Sequence, residues 1–94
     1  MSQQPIEREF VVGYELGLHA RPAGRFVTLA GKFRAEIQVT RGGEWVSGTS
    51  VLSLLSLAAT QGTRLRIRAL GEDAEAAIGA LGALIENPDA IEGA

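Results

Sequence analysis

Ala35-Glu36-Ile37-Gln38-Val39-Thr40-Arg41-Gly42-Gly43-Glu44-Trp45-Val46-Ser47 decides the fold class. Ala35, Ile37 and Val39 alternate with Glu36, Gln38 and Thr40, the pattern of a strand with one buried and one wet face. Gly42-Gly43 reads as a hairpin turn, since glycine tolerates the left-handed backbone that tight strand connections require. Trp45-Val46-Ser47 is a short return strand. Half-polar strands joined by a hairpin belong to an antiparallel sheet, which can leave one face in water.

Toward the C-terminus, Ser50 can cap a helix predicted to run to about Ala59. Gln61-Gly62 turns the chain. Leu65, Ile67 and Ala69 alternate with Arg64, Arg66 and Arg68 to make the last strand. Gly71-Glu72-Asp73 starts a third helix with a core stripe of Ala74, Ala77, Ile78, Leu81 and Ile85, and Asn87-Pro88 ends it. Toward the N-terminus, Glu9 to Val12 is a strand with Phe10 and Val12 on one side, and Gly13 to Gly17 is a loop. From about Ala20 to Ala30, Ala23, Phe26, Val27 and Ala30 fall at helical spacing, with Phe26 expected in the core. Pro22 is tolerated near the start of that helix, and Gly31 stops it. The order β-α-β-β-α-β-α predicts an α+β open-faced sandwich, a four-stranded antiparallel sheet covered on one face by three helices.

At 94 residues the chain is expected to form one domain, 1–94, with no internal repeat or linker. A 46% hydrophobic and 21% charged composition fits a folded domain rather than a disordered chain. There are no cysteines, which removes disulfides, thiolate chemistry and cysteine-ligated zinc. The net charge of −2 weighs against a general nucleic-acid or anionic-membrane binder. Met1 to Pro5 does not read as a signal peptide, and no segment approaches the roughly 18 apolar residues of a membrane span. A cytoplasmic monomer is expected.

Gly17-Leu18-His19-Ala20-Arg21-Pro22 carries the only histidine. The imidazole opens a helix, and Arg21 and Arg25 follow it closely. Free N–H groups and the positive dipole end at a helix start favour an anion. Imidazole is a nucleophile near neutral pH. Together these residues suit taking up and releasing a phosphoryl group, with Arg21 the main anion contact and Arg25 an auxiliary one. One histidine without cysteine or a convincing acid–base pair does not make a hydrolase, and it lacks the ligand spacing of a metal site. No cofactor is implied.

The second predicted helix has more apolar surface than docking on one sheet needs. Leu54, Leu57 and Ala58 make one stripe, and Val51, Leu52 and Leu55 make another. Ser53 and Ser56 fill the polar side. The first stripe suffices for the sheet, so the second is expected to face water as a protein-docking patch. Arg64, Arg66 and Arg68 are expected to form a solvated sheet face paired with Glu36 or Glu7. An RNA-binding sheet would need exposed aromatics on its middle strands. None sits beside the arginine strand in a recognisable motif, and Trp45 is taken as an exposed packing residue.

From about Ile6 to Glu86 the chain resembles the HPr family, the histidine-containing phosphocarriers of the phosphoenolpyruvate-dependent sugar phosphotransferase system. The resemblance rests on Gly17-Leu18-His19-Ala20-Arg21-Pro22-Ala23, Phe26-Val27, Gly42-Gly43, Ser50 with its apolar helix, Thr60-Gln61-Gly62-Thr63 and Gly71-Glu72-Asp73. It implies that His19 accepts a phosphoryl group, on Nδ1 as in the family, from enzyme I and passes it to an enzyme IIA component. It implies that Arg21 steadies the phosphohistidine, and that the chain is a carrier rather than an independent catalyst. The related nitrogen-type relay uses similar carriers. Ser50 matches the position that an HPr kinase/phosphorylase modifies in some bacteria. Thr49 stands where lysine is frequent and Ala58 where glycine is usual, the latter read as a packing variation.

Overall fold

The structure, a computed structural model, describes residues 4–88. Its elements are β1 (Ile6–Val11), α1 (Ala20–Ala30), β2 (Glu36–Thr40), β3 (Val46–Ser47), α2 (Val51–Leu55), β4 (Arg64–Leu70) and α3 (Ala74–Glu86). The strands form one antiparallel sheet in the order β1-β4-β2-β3. The three helices cover one face, giving the predicted open-faced sandwich.

Strand alternation builds this arrangement. Leu65, Ile67 and Ala69 of β4 and Ile37 and Val39 of β2 point under the helices and are buried. Phe26 of α1, Leu54 of α2, and Ile78, Leu81 and Ile85 of α3 close over them, each essentially without solvent contact. Fully burying a side chain of this size stabilises the fold by roughly 1.5–3 kcal/mol. Gly82 lets α3 lie close to β1, because a Cβ there would run into the Phe10 ring.

β1 begins three residues before the predicted Glu9. Its early part, Glu7-Arg8-Glu9, carries charge on both faces and hides the strand period. Arg8 shares the helix side with Phe10, at the sheet margin, and pairs with Glu75 of α3 at 2.8 Å. The Val11 N–H donates to Glu86 Oε2 at 2.9 Å. These contacts occupy part of an edge that would otherwise offer unpaired backbone groups.

The helix expected to reach Ala59 stops at Leu55. Ser50 caps its start, Oγ accepting from the Ser53 N–H at 3.2 Å. The chain then turns through Leu57, and Ala58 adopts a left-handed backbone with φ +51°. The glycine usual at this place is therefore a matter of backbone conformation rather than of packing. Arg41 at the end of β2 holds the turn, Nη1 donating to the carbonyls of Leu57 at 3.1 Å and Ala58 at 2.9 Å.

Candidate functional site

His19 occupies the N-cap of α1 in extended conformation, φ −84° and ψ −173°. Its backbone is fixed from both sides. The His19 N–H donates to the Gly17 carbonyl at 2.9 Å, and its carbonyl accepts from Ala23 N–H at 3.0 Å. Its neighbour Leu18 is buried and donates its N–H to the Ala59 carbonyl at 2.9 Å.

The approach loop is equally constrained. Tyr14 is buried and donates its hydroxyl to the Leu84 carbonyl at 2.6 Å. Its own carbonyl accepts from the Gly17 N–H at 2.8 Å. Gly17 has φ +75°, and a Cβ there would strike the Ala59 carbonyl oxygen. The motif glycine is thus required twice over, by its backbone angle and by the close pass of another loop.

This frame leaves the imidazole half-exposed, with no side-chain hydrogen bond to the described residues. An N-cap side chain ordinarily accepts from the first turn. Here the imidazole makes no such cap bond. Pro22, buried at the third helical position, removes one N–H at a place where it has no intrahelical partner. Arg21 lies exposed on this turn and Arg25 exposed on the next.

The apolar patch is narrower than the sequence predicts. Leu52 is 79% exposed, whereas Val51 and Leu55 are half-buried and lean on the core. In the other stripe only Leu54 is buried; Leu57 is half-buried and Ala58 exposed, because the helix ends before reaching them. The sequence reading also missed Leu16, which is 78% exposed. Its signal was available, a leucine in a polar loop three residues before the histidine.

On the opposite face of the sheet, Arg66 and Arg68 approach Glu7 at 3.7 and 3.8 Å, and Arg64 approaches Glu9 at 4.0 Å. Glu7 was an expected partner; the other is Glu9 rather than Glu36. Trp45 is half-buried rather than exposed, and it does lie beside the arginine strand, with the Arg68 guanidinium 4.0 Å from its ring centroid. Among the described residues no group of three His, Cys, Asp or Glu side chains could hold a metal ion. No helix among them is long and apolar enough to cross a membrane.

Residues 6–87 match the family model described as PTS HPr component phosphorylation site. The chain belongs to the HPr family. It is 52% identical over 69 residues to phosphocarrier protein HPr of Haemophilus influenzae, covering 73% of this chain and 81% of that one. It is 40% identical over 81 residues to phosphocarrier protein NPr of Shewanella violacea, covering 86% and 89%. The fold superposes on phosphocarrier protein HPr from Bacillus anthracis with a TM-score of 0.82 at 36% identity, over 86% of this chain and 96% of that one. An HPr-family chain is a phosphocarrier of the phosphotransferase system. The half-exposed imidazole at a helix start is an arrangement suited to such a carrier.

Proposed function

We propose that His19 receives a phosphoryl group from enzyme I, which draws it from phosphoenolpyruvate, and delivers it to an enzyme IIA component of a sugar transporter. The observation that carries this reading is the His19 side chain itself, backbone-fixed at the start of α1 and half-open to solvent. A ring nitrogen offers its lone pair to phosphorus. A P–N bond forms while the donor's bond to phosphorus breaks and returns its electron pair to the donor. The other ring nitrogen keeps its proton.

The product carries close to two negative charges, by analogy with other phosphorylated side chains. The first turn of α1 and the Arg21 guanidinium offset that charge. Arg25, one turn further on, is an auxiliary contact. The stabilisation must stay modest, because a carrier has to release what it holds. Leu52 and Leu16 supply exposed apolar contact for a partner that covers the site and excludes water, with Val51 and Leu55 supporting Leu52 from beneath. The chain acts as one carrier domain and needs no cofactor of its own.

The test is incubation with enzyme I and labelled phosphoenolpyruvate. The wild-type chain should acquire label that is acid-labile and alkali-stable, as a phosphoramidate is. His19→Ala should acquire none while unfolding within about 0.5 kcal/mol of wild type, because the imidazole makes no hydrogen bond to the described residues. Label retained by His19→Ala overturns the assignment.

The likeness to NPr supports a second reading, a carrier in the nitrogen-type relay. Parallel phosphorylation by the sugar-type and nitrogen-type enzyme I proteins separates the two by rate. Ser50 is the position at which an HPr kinase/phosphorylase would act. Its Oγ already caps α2, and a phosphate there would place charge two residues from Leu52. Mass spectrometry after incubation with that kinase decides whether Ser50 is a substrate.

A further inference from the structure

The uncovered face of the sheet holds a cavity of about 380 Å³ that none of the residues assigned to phosphoryl transfer touches. It is lined by Arg41, Arg64, Arg66 and Trp45, with Glu9, Thr40 and the Gly42-Gly43 turn completing it. Ligand pockets run from about 300 to 1,000 Å³, so the space suits a small molecule. Three arginines line it with one acidic residue, Glu9, although the Arg41 guanidinium is committed to the Leu57 and Ala58 carbonyls.

The other two guanidinium groups are weakly engaged. Arg64 stands 4.0 Å from Glu9 and Arg66 3.7 Å from Glu7, with side chains 75% and 54% exposed. Separations of this length in open solvent stabilise little and are readily exchanged for a better anion. Trp45, in contrast, is held in place. Arg68 stacks on its ring at 4.0 Å, and Arg68 is itself anchored to Gln38 Oε1 at 2.8 and 3.2 Å. Trp45 lines the cavity and Arg68 does not. A rigid aromatic wall beside movable cations lowers the ordering cost of binding a ligand with a flat apolar part and an anionic part.

We propose that this cavity binds a small organic phosphate, its phosphate groups between Arg64 and Arg66 and its organic ring against Trp45. The net charge of the chain is negative, so the preference for an anion is local to this corner of the sheet. The proposal does not depend on which partners His19 serves.

Trp45 is the only tryptophan, so its indole N–H gives one NMR signal in the full-length ¹⁵N-labelled chain. ADP is the probe, with adenosine, inorganic pyrophosphate and a short oligothymidylate as comparisons. ADP should shift the Trp45 indole and the Gly42 and Gly43 amides saturably, and bind more tightly than adenosine or pyrophosphate. Arg66→Ala, a change at an exposed side chain, should weaken ADP about tenfold. Glu9→Gln should strengthen it by removing the one carboxylate in the wall. Absence of a saturable shift, an unchanged affinity in Arg66→Ala, or weaker binding by Glu9→Gln overturns the proposal. Tighter binding of the oligonucleotide than of ADP overturns it in favour of a nucleic-acid surface.

Discussion

His19 shows how a reactive group is displayed without loosening the fold around it. Its main-chain N–H and carbonyl are both satisfied, while its ring makes no hydrogen bond to the described residues. Function and stability are therefore separable at this residue. Ala58 is the opposite case, a residue whose backbone works against its side chain. A left-handed backbone costs a residue with a Cβ roughly 1–2 kcal/mol, and glycine avoids that penalty. Ala58→Gly should raise the unfolding free energy by about 0.5–1 kcal/mol in denaturant melts. An unchanged or lower midpoint would show that the turn tolerates alanine without strain.

At the scale of the element, α2 is too short to stand by itself. Isolated helices of fewer than about 12–15 residues are marginal in water, and α2 has five. It persists because Ser50 caps its start, Leu54 enters the core, and Arg41 ties down the turn at its end. The turn reaches the site through the next residue, since the Ala59 carbonyl accepts the N–H of Leu18, beside His19. Arg41→Ala should destabilise the fold by about 1 kcal/mol and speed hydrogen exchange at the Leu18 amide above that of the α3 core. Equal protection of Leu18 in variant and wild type would mean the turn holds without Arg41. Leu52 belongs to the same element but to its solvent side. Leu52→Glu should leave stability within about 0.5 kcal/mol of wild type and weaken enzyme I binding about tenfold in calorimetry. Unchanged affinity would remove Leu52 from the docking surface.

Across the whole molecule, one apolar layer carries stability and the uncovered sheet face carries charge. The ion pairs on that face are long and exposed, so they contribute little. Loss of core volume is different. Phe26 is fully buried between α1 and the sheet, and Phe26→Ala should cost about 3–5 kcal/mol in thermal or chemical unfolding. Against a typical total of about 5–15 kcal/mol, that brings a domain of this size near its limit.

Much of this was legible in the chain beforehand. Ile37-Gln38-Val39 and Leu65-Arg66-Ile67 announce half-buried strands, Ser50 announces a cap, and the placement of His19 before an apolar helix announces a displayed imidazole. These are local properties, because residue spacing alone determines which side of an element is apolar. The end of α2 and the stacking of Trp45 on Arg68 were not legible, since each depends on what arrives from elsewhere. Arg41 meets Leu57 and Ala58, Leu18 meets Ala59, and Tyr14 meets Leu84, partners separated by sixteen to seventy positions. Periodicity therefore chose the inward faces and the place of the reactive ring. The strand order β1-β4-β2-β3 chose the neighbours, because contacts between distant segments exist only once the sheet has closed.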